Sequence, residues 1–195
     1  MDRVTNSSFN LVVGITGASG AIYAKVFMDG LMAHAKLGSR IGVVMSENAK
    51  KVWALELDNE DYKNYPFEFY SAQDFNAPFA SGSSSFQALV ICPCSMGTLG
   101  RVAAGISNDL LTRCADVMLK ERRKVIFTVR ETPYNLIHIK NMETVTLAGG
   151  IICPASPSFY SKPEGIEDLA KTVTQRLHQL CGLGPTGFRW NESEV

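Results

Sequence analysis

Three short stretches carry residue types whose spacing suits the binding of an anion. The first is G-I-T-G-A-S-G at residues 14–20. Glycines at a strand-to-helix turn let backbone N–H groups approach a negative group at a helix N-terminus, where the dipole favours it; the plain alternative is a tight turn with no ligand. The second is C-P-C-S-M-G-T at residues 92–98. There Ser95 and Thr98 offer hydroxyls, and the N–H groups of Met96 and Gly97 open the following helix. Such a cradle suits a phosphate or the polar edge of a flavin ring. The third is R-E-T-P at residues 130–133, where Arg130 and Glu131 stand side by side after an apolar run and Pro133 fixes the turn. A surface ion pair is the bland reading of that pair, but its place at the end of a strand argues for a ligand.

Spacing excludes several other chemistries. The glycines at 14, 17 and 20 do not form the dinucleotide fingerprint, and no Walker A loop is present. Ala21 stands where a nucleophile elbow needs its last glycine. None of the six tyrosines has a lysine four residues on, so T-G-A-S-G does not signal a short-chain dehydrogenase. Cys92 and Cys94 lack the Cys-x-x-Cys spacing and a nearby histidine, which argues against zinc. No metal is expected. His34, His138 and His178 fall on expected helices and take no role.

The hydrophobic pattern supplies a scaffold that brings these stretches together. Apolar runs read as strands at residues 10–15, 40–45, 88–92, 124–129 and 150–153, with a short one near 67–70. Helices are expected over 20–36, 47–57, 98–104, 110–122, 136–147 and 165–180, with an irregular part at 58–86 and a polar tail from about 181. Arg122 and Arg123 read as a solvated helix end that complements the dipole. Apolar strands alternating with helices imply an α/β fold, a doubly wound parallel sheet with helices on both faces, a Rossmann- or flavodoxin-like three-layer sandwich. Ligands of such sheets bind beyond the carboxyl ends of the strands. That gathers residues 16–20, Ser46, 93–98, 130–133 and 154–160 at one rim.

With 195 residues the chain is expected to form one domain. Its 19 basic and 19 acidic side chains give no electrostatic reason to bind nucleic acid or an anionic membrane. The apolar runs are one strand long, too short to span a bilayer, and the polar start lacks the apolar core of a signal peptide. Five irregularly spaced cysteines fit a reduced, cytoplasmic chain.

Read in order, T-G-A-S-G at 16–20, A-S-G-S at 80–83, C-P-C-S-M-G-T at 92–98, A-D-V-x-L-K-E-R-R at 115–123 and R-E-T-P at 130–133 resemble the flavin prenyltransferases of the UbiX type. I-H-I-K-N-M at 137–142, F-Y at 159–160 and R-W at 189–190 extend the likeness from about residue 11 to 190. The departures are modest: Thr128 precedes Val129 where the family often has Val-Pro, and Tyr134–Asn135 replaces a Leu-Ser-like pair.

The resemblance implies binding of FMN and, after its reduction, transfer of a dimethylallyl group from dimethylallyl monophosphate to flavin N5 and C6. The prenylated FMN would pass to a UbiD-type decarboxylase, in ubiquinone biosynthesis or aromatic-acid decarboxylation. It further implies a large homo-oligomer with sites shared between subunits. Matched residue by residue, Gly17, Ala18, Ser19, Ser46, Ser95, Met96, Gly97, Thr98 and Arg130 would contact FMN. Lys120, Arg130, Tyr160 and Arg176 would hold the prenyl phosphate, with Trp190 or Tyr160 stacked near the allyl group. Glu131 would take up a proton, Ser19 relay one, and Glu56 accept the proton of N5. Cations where a phosphate departs are chemically apt. Taken alone, Tyr160 and Arg176 read as ordinary surface residues, and Trp190 as a cap on an interface. Two other classes stay open: an FMN-dependent peptidyl-cysteine or phosphopantothenoylcysteine decarboxylase, whose P-x-M-N-x-x-M-W segment is missing here, and a non-catalytic FMN-binding assembly module.

Overall fold

Residues 9–184 are described by the structure, a computed structural model of the chain. Six parallel strands form one sheet: β1 (Leu11–Ile15), β2 (Ile41–Met45), β3 (Glu68–Tyr70), β4 (Ala88–Cys94), β5 (Lys124–Val129) and β6 (Ile151–Ile152). Their spatial order is β3-β2-β1-β4-β5-β6. The chain winds outward from β1 through β2 to β3, then crosses back to β4 and continues to the other edge. The reversal leaves a crevice between the carboxyl ends of β1 and β4, where doubly wound sheets bind their ligands.

β1, β2 and β4 are buried along their whole length, which is why their sequences are apolar without alternation. Successive residues still face opposite layers. Leu11, Val13 and Ile15 join one core with Phe27, Met28, Trp53 and Leu177. Val12 joins the other, with Leu89, Ile91, Leu99, Leu111 and Phe127. The α-helices of the described residues are α1 (Ala21–Lys36), α2 (Glu47–Leu57), α3 (Met96–Ala103), α4 (Leu110–Lys120), α5 (Leu136–Leu147) and α6 (Ile166–Cys181). A side-chain carbon on Gly14 would lie 2.4 Å from a Leu111 methyl, so the glycine lets α4 sit close over β1.

The expected elements all form, with shifted ends. β4 runs two residues further than its apolar stretch, because Pro93 and Cys94 stay buried beside β5. Consequently α3 begins at Met96 rather than 98, capped by Ser95. Cys181 belongs to α6 and is buried rather than opening a polar tail. Arg123 is no solvated helix end: its guanidinium donates to the carbonyls of Gly82 and, at 3.0 Å, Phe86. With Arg113, which donates to the Ala80 carbonyl at 3.1 Å, it ties down the loop before β4.

α1 is held from behind by α6. His178 packs on the Phe27 ring at 4.7 Å between centroids, and a side chain on Gly30 would lie 2.5 Å from the imidazole. Burial, reinforced by His34, lowers the His178 pKa to about 4. The native state therefore keeps this imidazole neutral while the unfolded chain protonates it from about pH 6.5 downward. Stability should hold above that pH, fall as the pH drops toward 4, and stop falling on this account below it. Urea unfolding should show about 2 kcal/mol lost between pH 7 and pH 5, at about 1.4 kcal/mol per pH unit, with most of that slope gone in His178→Leu. Equal slopes in the two proteins would contradict this assignment.

Candidate functional site

The crevice is built on a single buried side chain. Thr16, the residue after β1, donates its hydroxyl to the Pro93 carbonyl at 2.7 Å and accepts from the Ser95 amide at 2.8 Å. On the other side of β1, the Ser46 amide donates to the Ile15 carbonyl at 3.0 Å. These bonds set the exits of β1, β2 and β4 level with one another.

Two helices start from this level. Ser46 caps α2 by accepting from the Ala49 amide at 3.1 Å, and Ser95 caps α3 by accepting from the Thr98 amide at 3.3 Å. Each cap satisfies one of the first-turn amides, which leaves others as donors. Between them lies a cavity of about 440 Å³, lined by Thr16, Gly17, Ser46, Asn48, Ser95, Gly97, Thr98 and Arg101. That is the size of a small-molecule or cofactor site. A side chain on Gly97 would meet nothing within 4 Å, so bare backbone faces the space; one on Gly17 would lie 2.6 Å from the Asn48 Cβ. Hydroxyls, amides, two helix N-termini and one guanidinium form a donor set fit for a phosphate group.

A second cluster adjoins this cavity. The Glu56 carboxylate accepts from the Gly20 amide at 2.8 Å, from the Ala21 amide at 2.7 Å and from the Ser19 hydroxyl. Burial works against its charge, but the Ser19, Ala21 and Gly20 hydrogen bonds and nearby Arg130 outweigh it and hold its pKa below the usual value. Glu56 is thus ionised at neutral pH. It also occupies the N-terminus of α1, where the glycine-rich turn suggested an anion from outside. Gly20, at φ 110°, has the left-handed backbone that aims its amide at the carboxylate. Tyr23 stands near Arg130 and Cys92; burial raises its pKa, so it keeps its proton.

The expected site residues are thus partly gathered. Gly17, Ser46, Ser95, Gly97 and Thr98 line the cavity, while Ser19, Glu56 and Arg130 form the adjoining cluster. Ala18 lies in the turn between them, and Met96 is buried at the start of α3. Glu131 is exposed and accepts from the Thr132 amide at 3.0 Å. Tyr160 is 69% exposed, and Arg176 donates to Gln179 at 3.1 Å on α6. Lys120 is not brought in. It ends α4, ahead of β5, whereas Arg130 follows β5; six strand residues put roughly 20 Å between the two rims. Trp190 lies outside the described residues. Thr16 lies in the expected rim segment but had no assigned role, whereas Asn48, Arg101 and Tyr23 were missed. Asn48 and Arg101 each follow a capping serine on its helix, at the second and sixth residue, and that spacing is their one signal in the sequence.

The Cys-x-Cys segment takes no ligand role. Both sulfurs are fully buried, and burial pushes the Cys92 thiol up to about 12 and raises that of Cys94. Among the described residues no group of three His, Cys, Asp or Glu side chains could hold a metal ion. Among the same residues no helix is long and apolar enough to cross a membrane.

A doubly wound parallel sheet with a phosphate-type cradle at its switch point defines an α/β protein that binds a nucleotide or flavin. The flavoprotein family model matches residues 2–178, and the chain belongs to that family. Its relatives are more specific. The flavin prenyltransferase UbiX of Thermoplasma acidophilum is 44% identical over 176 residues, covering 89% of this chain and 95% of its own. The crystal structure of AnUbiX (PadA1) in complex with FMN and dimethylallyl pyrophosphate superposes with a TM-score of 0.86 at 36% identity, covering 96% of this chain and all of that one. A dodecameric FMN-dependent UbiX-like decarboxylase from Escherichia coli O157:H7 matches at the same TM-score and 33% identity, over 94% of this chain and all of its own. The epidermin biosynthesis protein EpiD of Staphylococcus aureus, at 19% identity and a TM-score of 0.54 over 76% of this chain and 84% of its own, shares the fold alone.

Thr16→Val keeps the shape of the side chain and removes the hydroxyl, leaving the Ser95 amide unpaired. It should cost about 1–3 kcal/mol in urea unfolding and weaken FMN binding, whereas Thr16→Ser should preserve both. A valine variant as stable and as well bound as the wild type would show that Thr16 does not set the crevice.

Proposed function

We propose that this chain is a flavin prenyltransferase, which takes reduced FMN and a dimethylallyl phosphate and joins the prenyl group to flavin N5 and C6. The observation that carries the reading is the pairing of two unlike sites at one rim. A cradle of hydroxyls, amides and one guanidinium suits the FMN phosphate, and beside it an ionised carboxylate and a second arginine suit the reacting end of the ring. Full-length similarity to named prenyltransferases supports the same conclusion.

Gly17, Ala18, Ser46 and the Ser95–Thr98 turn hold FMN, with Arg130 at its ring. Glu56, charged and fixed by three donors, receives a proton through the Ser19 hydroxyl, and Glu131 takes one beside the departing phosphate. Arg130, Tyr160 and Arg176 hold that phosphate, where the C–O electron pair leaves and negative charge builds. Lys120 serves the same group from a neighbouring subunit, since its own chain keeps it at the opposite rim. Apolar side chains that such an assembly would cover are present: Leu136, Ile137 and Ile139 of α5, and Phe159 and Tyr160 after β6, are each 50% or more exposed. The oligomer is large, the chain works in the cytoplasm, and its prenylated FMN goes to a UbiD-type decarboxylase.

Anaerobic incubation of the protein with reduced FMN and dimethylallyl monophosphate, or the pyrophosphate, should yield a flavin heavier by one five-carbon unit in mass spectrometry. Unchanged flavin with both donors, or carbon dioxide released from a cysteine-ended peptide, would overturn the reading. Within it, Tyr160→Phe and Arg176→Ala should purify yellow, with normal FMN content, yet need roughly 10- to 150-fold more prenyl donor, as expected for a lost charge-assisted hydrogen bond of about 1.5–3 kcal/mol. Unaltered donor dependence would remove both residues from the phosphate site.

A further inference from the structure

We propose that Arg101 is a phosphate-binding side chain, and that it makes the site select a flavin carrying a phosphate monoester over the unphosphorylated flavin. This rests on the flavin reading above and adds a residue to which the family resemblance gave no role.

Charge points to it first. Of the eight residues lining the cavity, Arg101 alone carries a formal charge. A phosphate monoester bears about −1.5 to −2 at neutral pH. The N-termini of α2 and α3 offset about half a charge each. About half a unit to one unit remains, and Arg101 is the lining cation that meets it, with its other edge paired to Asp109.

Geometry agrees. Arg101 lies one helical turn beyond Thr98, and its Nη2 is 3.4 Å from the Thr98 hydroxyl. That hydroxyl accepts from the Ser95 hydroxyl at 3.1 Å, so the guanidinium edge reaches the cradle's own donors. The opposite edge is fixed. Nη1 donates to the Asp109 carboxylate and, at 2.9 Å, to the Asn108 side-chain oxygen. Asp109 is itself immobilised as the N-cap of α4, in a reciprocal pair with Thr112. Its charge stands behind the guanidinium, on the Nη1 edge, while the Nη2 edge is the one that meets an anion in the cradle. A fork held firmly at one edge, with a long 3.4 Å bond to the Thr98 hydroxyl at the other, is arranged for a phosphate, whose oxygens accept parallel N–H donors. The competing account makes Arg101 only a brace between α3 and α4; a brace does not distinguish one flavin from another.

Binding to the flavin-free protein separates the two accounts. FMN and riboflavin are titrated against wild type, Arg101→Gln and Arg101→Lys by flavin fluorescence, at two salt concentrations. The glutamine variant should bind FMN about 10- to 150-fold more weakly and riboflavin as the wild type does, so the preference collapses. The lysine variant, which keeps the charge but loses the fork, should fall between, and decides the matter should the glutamine variant not fold. Inorganic phosphate should compete with FMN for the wild type and hardly at all for riboflavin. An unchanged preference in a folded variant, or equal losses for both flavins, would overturn the role of Arg101. A wild type that binds neither flavin would instead overturn the flavin reading itself.

Discussion

One buried hydroxyl joins the two halves of the sheet at the point where a ligand must sit. Thr16 reaches from the end of β1 to both the carbonyl of Pro93 and the amide of Ser95, across the place where the strand order reverses. Because both partners are backbone groups, the bond fixes the path of the chain and not merely a rotamer. The Ser95 cap, the direction of α3 and the position of Thr98 and Arg101 follow from it. Without that tie, the glycine-rich turn and the Ser95 turn would be two loops on neighbouring strands. With it, they are two walls of one cavity.

The helix N-termini at this rim are used in two different ways. Those of α2 and α3 are capped by serines, whose small side chains each satisfy one amide and leave room in front. That of α1 has no cap of its own, and Glu56 from α2 fills the place. A carboxylate at a helix N-terminus is stabilised as an anion. The same contacts that brace α1 against α2 therefore keep Glu56 charged beside Arg130. Structural support and chemical readiness come from one set of hydrogen bonds, which is why the amides that open α1 face a carboxylate of the chain itself. In the proposed reading the phosphate lies instead between the first turns of α2 and α3, one strand to either side, with Thr16 and Gly17 lining the same cavity.

Much of this was legible beforehand, and the parts that were not have a common cause. Apolar runs such as A-L-V-I-C and V-I-F-T-V read as buried parallel strands because burial on both faces removes any polar alternation. Ser46 stands directly before a helical pattern and caps α2, whereas Ser95, read as a hydroxyl donor with the helix expected from 98, proves to be the cap of α3. Pro93 hid the end of β4, since a proline in a run argues for its termination while burial beside β5 prolongs it. Arg123 looked like a solvated helix end because its partners are carbonyls some 40 residues earlier, in a loop without periodicity. Arg101 and Asn48 are likewise defined by what faces them across the crevice. Local pattern finds what a residue does to its own element; it does not find partners supplied by another. Lys120 is the extreme case: its place in the motif pointed to the phosphate, yet the chain keeps it at the rim opposite Arg130.

The most direct test of this account is a crystal structure of the protein with FMN bound. The phosphate should lie between the first turns of α2 and α3, within hydrogen-bond reach of Ser46, Ser95, Thr98 and Arg101, and the ring should extend toward Ser19, Glu56 and Arg130. A phosphate seated on the Gly20 and Ala21 amides, with Glu56 displaced from them, would contradict it.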